Sequence, residues 1–238
     1  VADRPYTVNV EASNNGLDFS MNNKTFEYTP SVSTLRVRPS VGPVSGGTLV
    51  TVIGRTRKQN AALFCVVGTQ VVATMRRTRM QAGFAHVITG VHGREEPVAV
   101  AVTCAVPAAS REGQVPVQLR TSRFTQDGST VQGVEYLYVK DVRVVAVQPS
   151  RGPVRGGTPV TVFGEGLQSG GMFCRFGPDG ETAEAVMVHQ SSVVCISPAQ
   201  EDGAVRVELS VNGVDYSDNS KQFVYEVMPA VSELRPSM

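Results

Sequence analysis

The stretch PSVGPVSGGTLVTVIG runs from Pro39 to Gly54, and PSRGPVRGGTPVTVFG runs from Pro149 to Gly164. A phrase that recurs after about 110 residues has the period of a whole domain, so the chain must build the same local structure twice. Neither copy places a Lys after its last glycine, so the pattern is not that of a phosphate-binding loop. Aligning the two phrases brings LFCVVG from Leu63 over MFCRFG from Met172, and VTCAVPA from Val102 over VVCISPA from Val193. The repeats also close alike, in VEYLY ending at Tyr138 and QFVYE ending at Glu226. A third copy of that ending, YTVNVEASNNGLDFSMNNKTFEYT, starts at Tyr6, and the last residues, VSELRPSM, echo the openings VSTLRVRPS and VRVVAVQPS. The expected organisation is therefore the end of one repeat over 1–30, a full repeat over 31–140, a second over 141–227, and the first strand of another over 228–238. Both ends read as cuts in a longer chain.

Short alternating runs such as TLVTVIG, PVTVFG and VRVELSV have the period-two pattern of half-buried strands. With 23 Gly and 14 Pro in 238 residues, no segment keeps a helical apolar period, and the fold is expected to be all-β. Twenty-two basic and twenty-one acidic side chains leave a formal net charge of +1, so bulk charge steers the chain toward neither nucleic acid nor an anionic membrane. No apolar run reaches the eighteen or so residues of a membrane span, and Val-Ala-Asp-Arg-Pro at the start is not a signal peptide. Any membrane attachment is expected to come from regions outside this segment.

The order Pro-x-x-Gly-Pro-x-x-Gly-Gly-Thr-x-Val-Thr-Val-x-Gly, then Phe-Cys-x-x-Gly, then Cys-x-x-Pro, then Asn-Gly-x-x-[FY]-Ser and a closing Phe-x-Tyr resembles IPT/TIG domains. The likeness covers essentially the whole chain and is looser in the middle of the first full repeat. It implies tandem immunoglobulin-like β-sandwiches of the E-set type. Local chemistry agrees: Gly46-Gly47 and Gly156-Gly157 stand where a reversing chain needs positive φ or a close backbone approach, and Gly42 and Gly152 complete the same turns. Pro43 and Pro153 suit a bent edge segment. Asn15-Gly16 and Asn212-Gly213 are strong hairpin signals.

Four cysteines allow three pairings. Two per repeat at matching positions suggest Cys65 with Cys104 and Cys174 with Cys195, bridges that persist in an oxidising compartment. Reduced core thiols are the rival reading and would move the protein inside the cell. Zinc is disfavoured, because no two cysteines are near neighbours and His86, His92 and His189 are scattered. Asn23-Lys24-Thr25 is an N-glycosylation sequon and makes Asn23 a candidate glycan site.

No nucleophile elbow, zinc-protease motif or calcium loop is present, so neither an enzyme nor a cofactor is expected. The least repeat-like stretch, Thr74–Val100, is longer than its counterpart by nearly twenty residues and carries Arg76, Arg77 and Arg79. It is read as an insertion forming a partner-binding loop, against the plainer reading of extra strands or a solvated loop. One arginine cluster is too little for nucleic-acid binding, and a chain without Trp lacks the usual platform for stacking sugars. The expected function is a non-enzymatic segment of a large extracellular protein, a semi-rigid spacer and protein-interaction surface for adhesion, a receptor ectodomain or a surface filament. Its partners are expected to be proteins, further copies of itself, or neighbouring repeats. An intracellular interaction module of a regulatory or DNA-binding protein is the alternative.

Overall fold

The computed structural model describes residues 6–28, 32–56, 62–79, 98–121, 133–169, 171–178, 180, 182–219 and 221–228. Every regular element among them is a strand. A hairpin of β1 (Tyr6–Val10) and β2 (Lys24–Tyr28) comes first, its strands paired antiparallel. The first full repeat supplies β3 (Ser33–Arg38), β4 (Val41–Pro43), β5 (Leu49–Thr56), β6 (Phe64–Val67), β7 (Gln70–Val72), β8 (Thr74–Arg79), β9 (Val98–Ala105), β10 (Gly113–Arg120) and β11 (Val134–Val139). The second supplies β12 (Arg143–Gln148), β13 (Arg151–Pro153), β14 (Pro159–Glu165), β15 (Phe173–Phe176), β16 (Thr182–Glu184), β17 (Val186–His189), β18 (Ser192–Ile196), β19 (Gly203–Ser210) and β20 (Lys221–Glu226). The nine strands correspond one to one.

In the second repeat they form a four-stranded sheet, β12-β14-β18-β17, and a five-stranded one, β13-β20-β19-β15-β16. The first repeat has the matching four-stranded sheet β3-β5-β9-β8, and β6 pairs with both β10 and β7 as β15 pairs with β19 and β16. The short strand after each Pro-Ser pairs in parallel with the closing strand, β4 with β11 and β13 with β20. Alternation within strands decides what is buried. In β5 the inward set Val50, Val52 and Gly54 alternates with Leu49, Thr51 and Ile53, and β14 repeats the pattern with Val160, Val162 and Gly164.

The chain divides into two compact units that cut across the sequence repeats. The first comprises Val1–Arg38, Leu49–Val106 and Val115–Glu135, and the second Pro39–Thr48, Pro107–Gln114 and Tyr136–Met238. The core of the first unit is aliphatic, with Val50, Val52, Val66, Val100, Val102, Val117 and Leu119 almost wholly enclosed. That of the second adds aromatic weight: Phe176 and Phe223 meet edge to face at 5.5 Å, and Phe223 and Tyr225 at 5.0 Å. Burying one such ring contributes about 1.5–3 kcal/mol, and the edge-to-face geometry adds to that.

Part of the region read as an insertion is strand. Thr74–Arg79 is β8, paired antiparallel with β9, and its equivalent in the second repeat is β17 beside β18. The extra length therefore belongs to one hairpin connection: β17 and β18 are separated only by 190–191, whereas β8 and β9 are separated by 80–97, which lie outside the described residues. Of residues 228–238, read as the first strand of a further repeat, 229–238 also lie outside them.

Candidate functional site

Two copies of Ser-x-Asn-Gly-x-Asp, at 13–18 and 210–215, fold identically. In each, the serine Oγ accepts hydrogen bonds from the asparagine and glycine amides, and the asparagine Oδ1 accepts from the two amides that follow. The asparagine Nδ2 then donates to the aspartate Oδ2, at 2.8 Å in the first copy and 2.7 Å in the second. Asn and Asp suit this position because their short side chains cap their own turn, and Gly16 and Gly213 take φ of 74° and 72°. The turn thus presents a rigid amide and carboxylate at the tip of a hairpin.

Within the second unit this tip is engaged. Asn212 Nδ2 donates to the Val41 carbonyl at 3.0 Å, and Asp215 Oδ2 accepts from Thr48 Oγ1 at 2.7 Å. Thr48, fully enclosed, also accepts from the Tyr136 hydroxyl at 3.1 Å. Burial pushes the Tyr136 phenol up to about 12, with the Tyr138 ring and the Asp215 carboxylate adding to the rise and the Thr48 hydrogen bond opposing it. Nearby, the Ser45 amide donates to Asp141 Oδ1 at 3.2 Å. These contacts explain why residues 39–48 consolidate with the second unit. The turn itself is braced by Tyr216, whose ring lies 3.8 Å beneath the Arg175 guanidinium while Arg175 donates twice to Glu208.

The glycines of the repeated phrase hold this arrangement. A Cβ on Gly42 would fall on the Tyr136 hydroxyl and Thr48 Oγ1, so only glycine lets the backbone come this close. Gly46 and Gly156 have φ of 74° and 73° and lie against the backbones of Pro107-Ala108 and Pro198-Ala199. Gly47 and Gly157 are also left-handed, at 86° and 82°, but face open space, and Gly152 meets Thr158 and Phe223.

Cys65 on β6 is bonded to Cys104 on β9, and Cys174 on β15 to Cys195 on β18, with Cα separations of 6.5 and 6.2 Å. All four are fully buried. Asn23 is exposed at φ 49°, just before β2. Of the three arginines singled out, Arg76 pairs across from Thr103, while Arg77 and Arg79 pair with the inward Val102 and Val100. The cluster is thus split between the two faces of an edge strand. The structure instead groups Arg76 with Arg36, Arg38 and Arg55 on the outer face of β3-β5-β9-β8, a grouping that sequence proximity hides. Among the described residues, no three His, Cys, Asp or Glu side chains converge as a metal site would require.

Two disulfide-pinned sandwiches with shared strand order define an extracellular, immunoglobulin-like class of segment. Residues 143–225 match the IPT/TIG domain. Among relatives, Plexin A3 of Danio rerio is 27% identical over 179 residues, 74% of this chain and 8% of that protein. Plexin-A3 of Homo sapiens is 28% identical over 204 residues, 85% of this chain and 10% of that protein. Among solved structures, the full extracellular region of Plexin A4 has a TM-score of 0.45 at 18% identity, over 85% of this chain and 16% of that one. The chain spans about a tenth of the length of the curated relatives it matches.

Proposed function

We infer that this segment is a semi-rigid spacer in the ectodomain of a larger cell-surface protein, and that it presents a lateral surface to protein partners. The observation that carries the reading is the engagement of Val41 and Thr48 by Asn212 and Asp215. It ties the Gly-Pro-x-x-Gly-Gly-Thr segment of one repeat to the hairpin tip of the next. Two successive repeats thus share residues within one compact unit, which suits an array meant to hold a distant domain in place. The buried disulfides support an extracellular setting and leave no thiol among the described residues for a reducing compartment to maintain. A glycan on exposed Asn23 fits the same setting.

The test is the distance distribution between spin labels carried on unnatural side chains at exposed Leu35 and Val145. A spacer gives one narrow distribution that broadens in Asp215→Ala. A wild-type distribution already broad would overturn the reading.

A further inference from the structure

The register of the four-stranded sheet in the first repeat sets Arg38, Thr51, Thr103 and Arg76 in one row across all four strands. The next row is Arg36, Ile53, Ala101 and Thr78, and Arg55 follows beside Ala99. These side chains stand on the face opposite the buried Val50, Val52, Val100 and Val102, and the four arginines are exposed. Three strand spacings separate Arg38 from Arg76, about 14 Å, and four residues along β5 separate Thr51 from Arg55, about 13 Å. The result is a floor of Thr, Ile and Ala rimmed by four guanidinium groups. The four strands together carry six arginines and not one Asp or Glu.

The second repeat supplies an internal control, because its sheet has the same order and register. There Gln148 replaces Arg38, Ala146 replaces Arg36, Glu165 replaces Arg55 and Val186 replaces Arg76. The two central threonines become Thr161 and Val194. The fold thus has no need of arginine at any of the four positions. Four arginines gathered from three separate strands on a chain of net charge +1 call for a reason other than solubility or folding.

We propose that this face binds a sulfated polysaccharide. Guanidinium forks pair with tetrahedral oxyanions in two-point contacts, and a flat, uncharged floor leaves room for a linear chain to lie across the strands. The extracellular setting selects sulfated glycan over nucleic acid or the anionic inner leaflet of a membrane. Binding is electrostatic at an exposed surface and weakens as salt rises.

The experiment is calorimetric titration of the intact chain with a size-defined heparin decasaccharide, in 50 and 300 mM salt, beside vesicles containing phosphatidylserine. Arg38→Gln/Arg76→Gln is compared with Arg143→Gln/Arg206→Gln, a pair of exposed arginines in the second repeat. The expected result is binding to the decasaccharide that weakens with salt, falls about tenfold or more in the first pair and is unchanged in the second. Because all four positions are exposed, both variants are expected to keep wild-type circular dichroism. Equal loss in the two pairs, no loss in the first, or binding to vesicles without the decasaccharide would each overturn the proposal.

Discussion

Replacing Thr48 with Val keeps the volume of the side chain and removes its hydroxyl. That hydroxyl gives a hydrogen bond to the Asp215 carboxylate at 2.7 Å and receives one from Tyr136 at 3.1 Å, in a fully enclosed site. A hydrogen bond to a charged group contributes about 1.5–3 kcal/mol, and a buried hydroxyl left without a partner costs about 1–3 kcal/mol. The two effects overlap, because Asp215 keeps the Asn212 amide, so the expected loss is about 2–4 kcal/mol. The second repeat holds the control. Thr158 occupies the corresponding place, half-buried, but Phe223 stands where Tyr136 does and brings no hydroxyl. Thr158→Val is therefore expected to cost less than about 1 kcal/mol. Urea unfolding of both variants, followed by far-ultraviolet circular dichroism and read as midpoint at constant slope, separates them. Equal costs for the two substitutions, or a Thr48→Val cost under about 0.5 kcal/mol, would refute the idea that the hairpin tip is held by this network.

Three other outcomes follow from the same geometry. Gly42→Ala places a methyl group on the Tyr136 hydroxyl and Thr48 Oγ1 and is expected to destabilise by about 1–3 kcal/mol in urea unfolding, whereas Gly47→Ala meets no neighbour and suffers only the backbone strain of its left-handed φ. Opening the bridges, which close loops of 39 and 21 residues, is expected to cost about 4 and about 3 kcal/mol in the chain-entropy model, measured on Cys→Ala pairs. Burial raises the phenols of Tyr136, Tyr138 and Tyr225, so their contribution is complete below the ordinary tyrosine value near 10. The Tyr136 share is lost as pH climbs from about 10 through about 12, and thermal unfolding across that window should show a fall that Tyr136→Phe blunts.

Much of this was legible because strands announce themselves locally. The alternation in TLVTVIG and PVTVFG, and the glycines and Asn-Gly pairs between strands, gave the all-β class. Other features were invisible for a physical reason. Asp215 and Thr48 are 167 positions apart, and no local pattern reports a hydrogen bond across that separation. The doubled Ser-x-Asn-Gly-x-Asp was a signal that the turn itself mattered, since a plain hairpin requires only the Asn-Gly. The Arg76, Arg77 and Arg79 triplet misled in the opposite sense. Neighbours along a strand point to opposite faces, so adjacency in sequence marked a group that the pleat divides, while Arg36, Arg38 and Arg55 join Arg76 only through register. Net charge concealed the same patch, because acidic residues elsewhere balance it.

The most direct test of the account is the intact mass of the protein secreted from cells, before and after reduction, with and without glycosidase. The account requires a gain of about four hydrogens on reduction, two for each bridge, with Cys65–Cys104 and Cys174–Cys195 recovered as linked peptides and a glycan released from the Asn23 peptide. Four free thiols in the native protein would contradict the extracellular, disulfide-pinned array on which the rest depends.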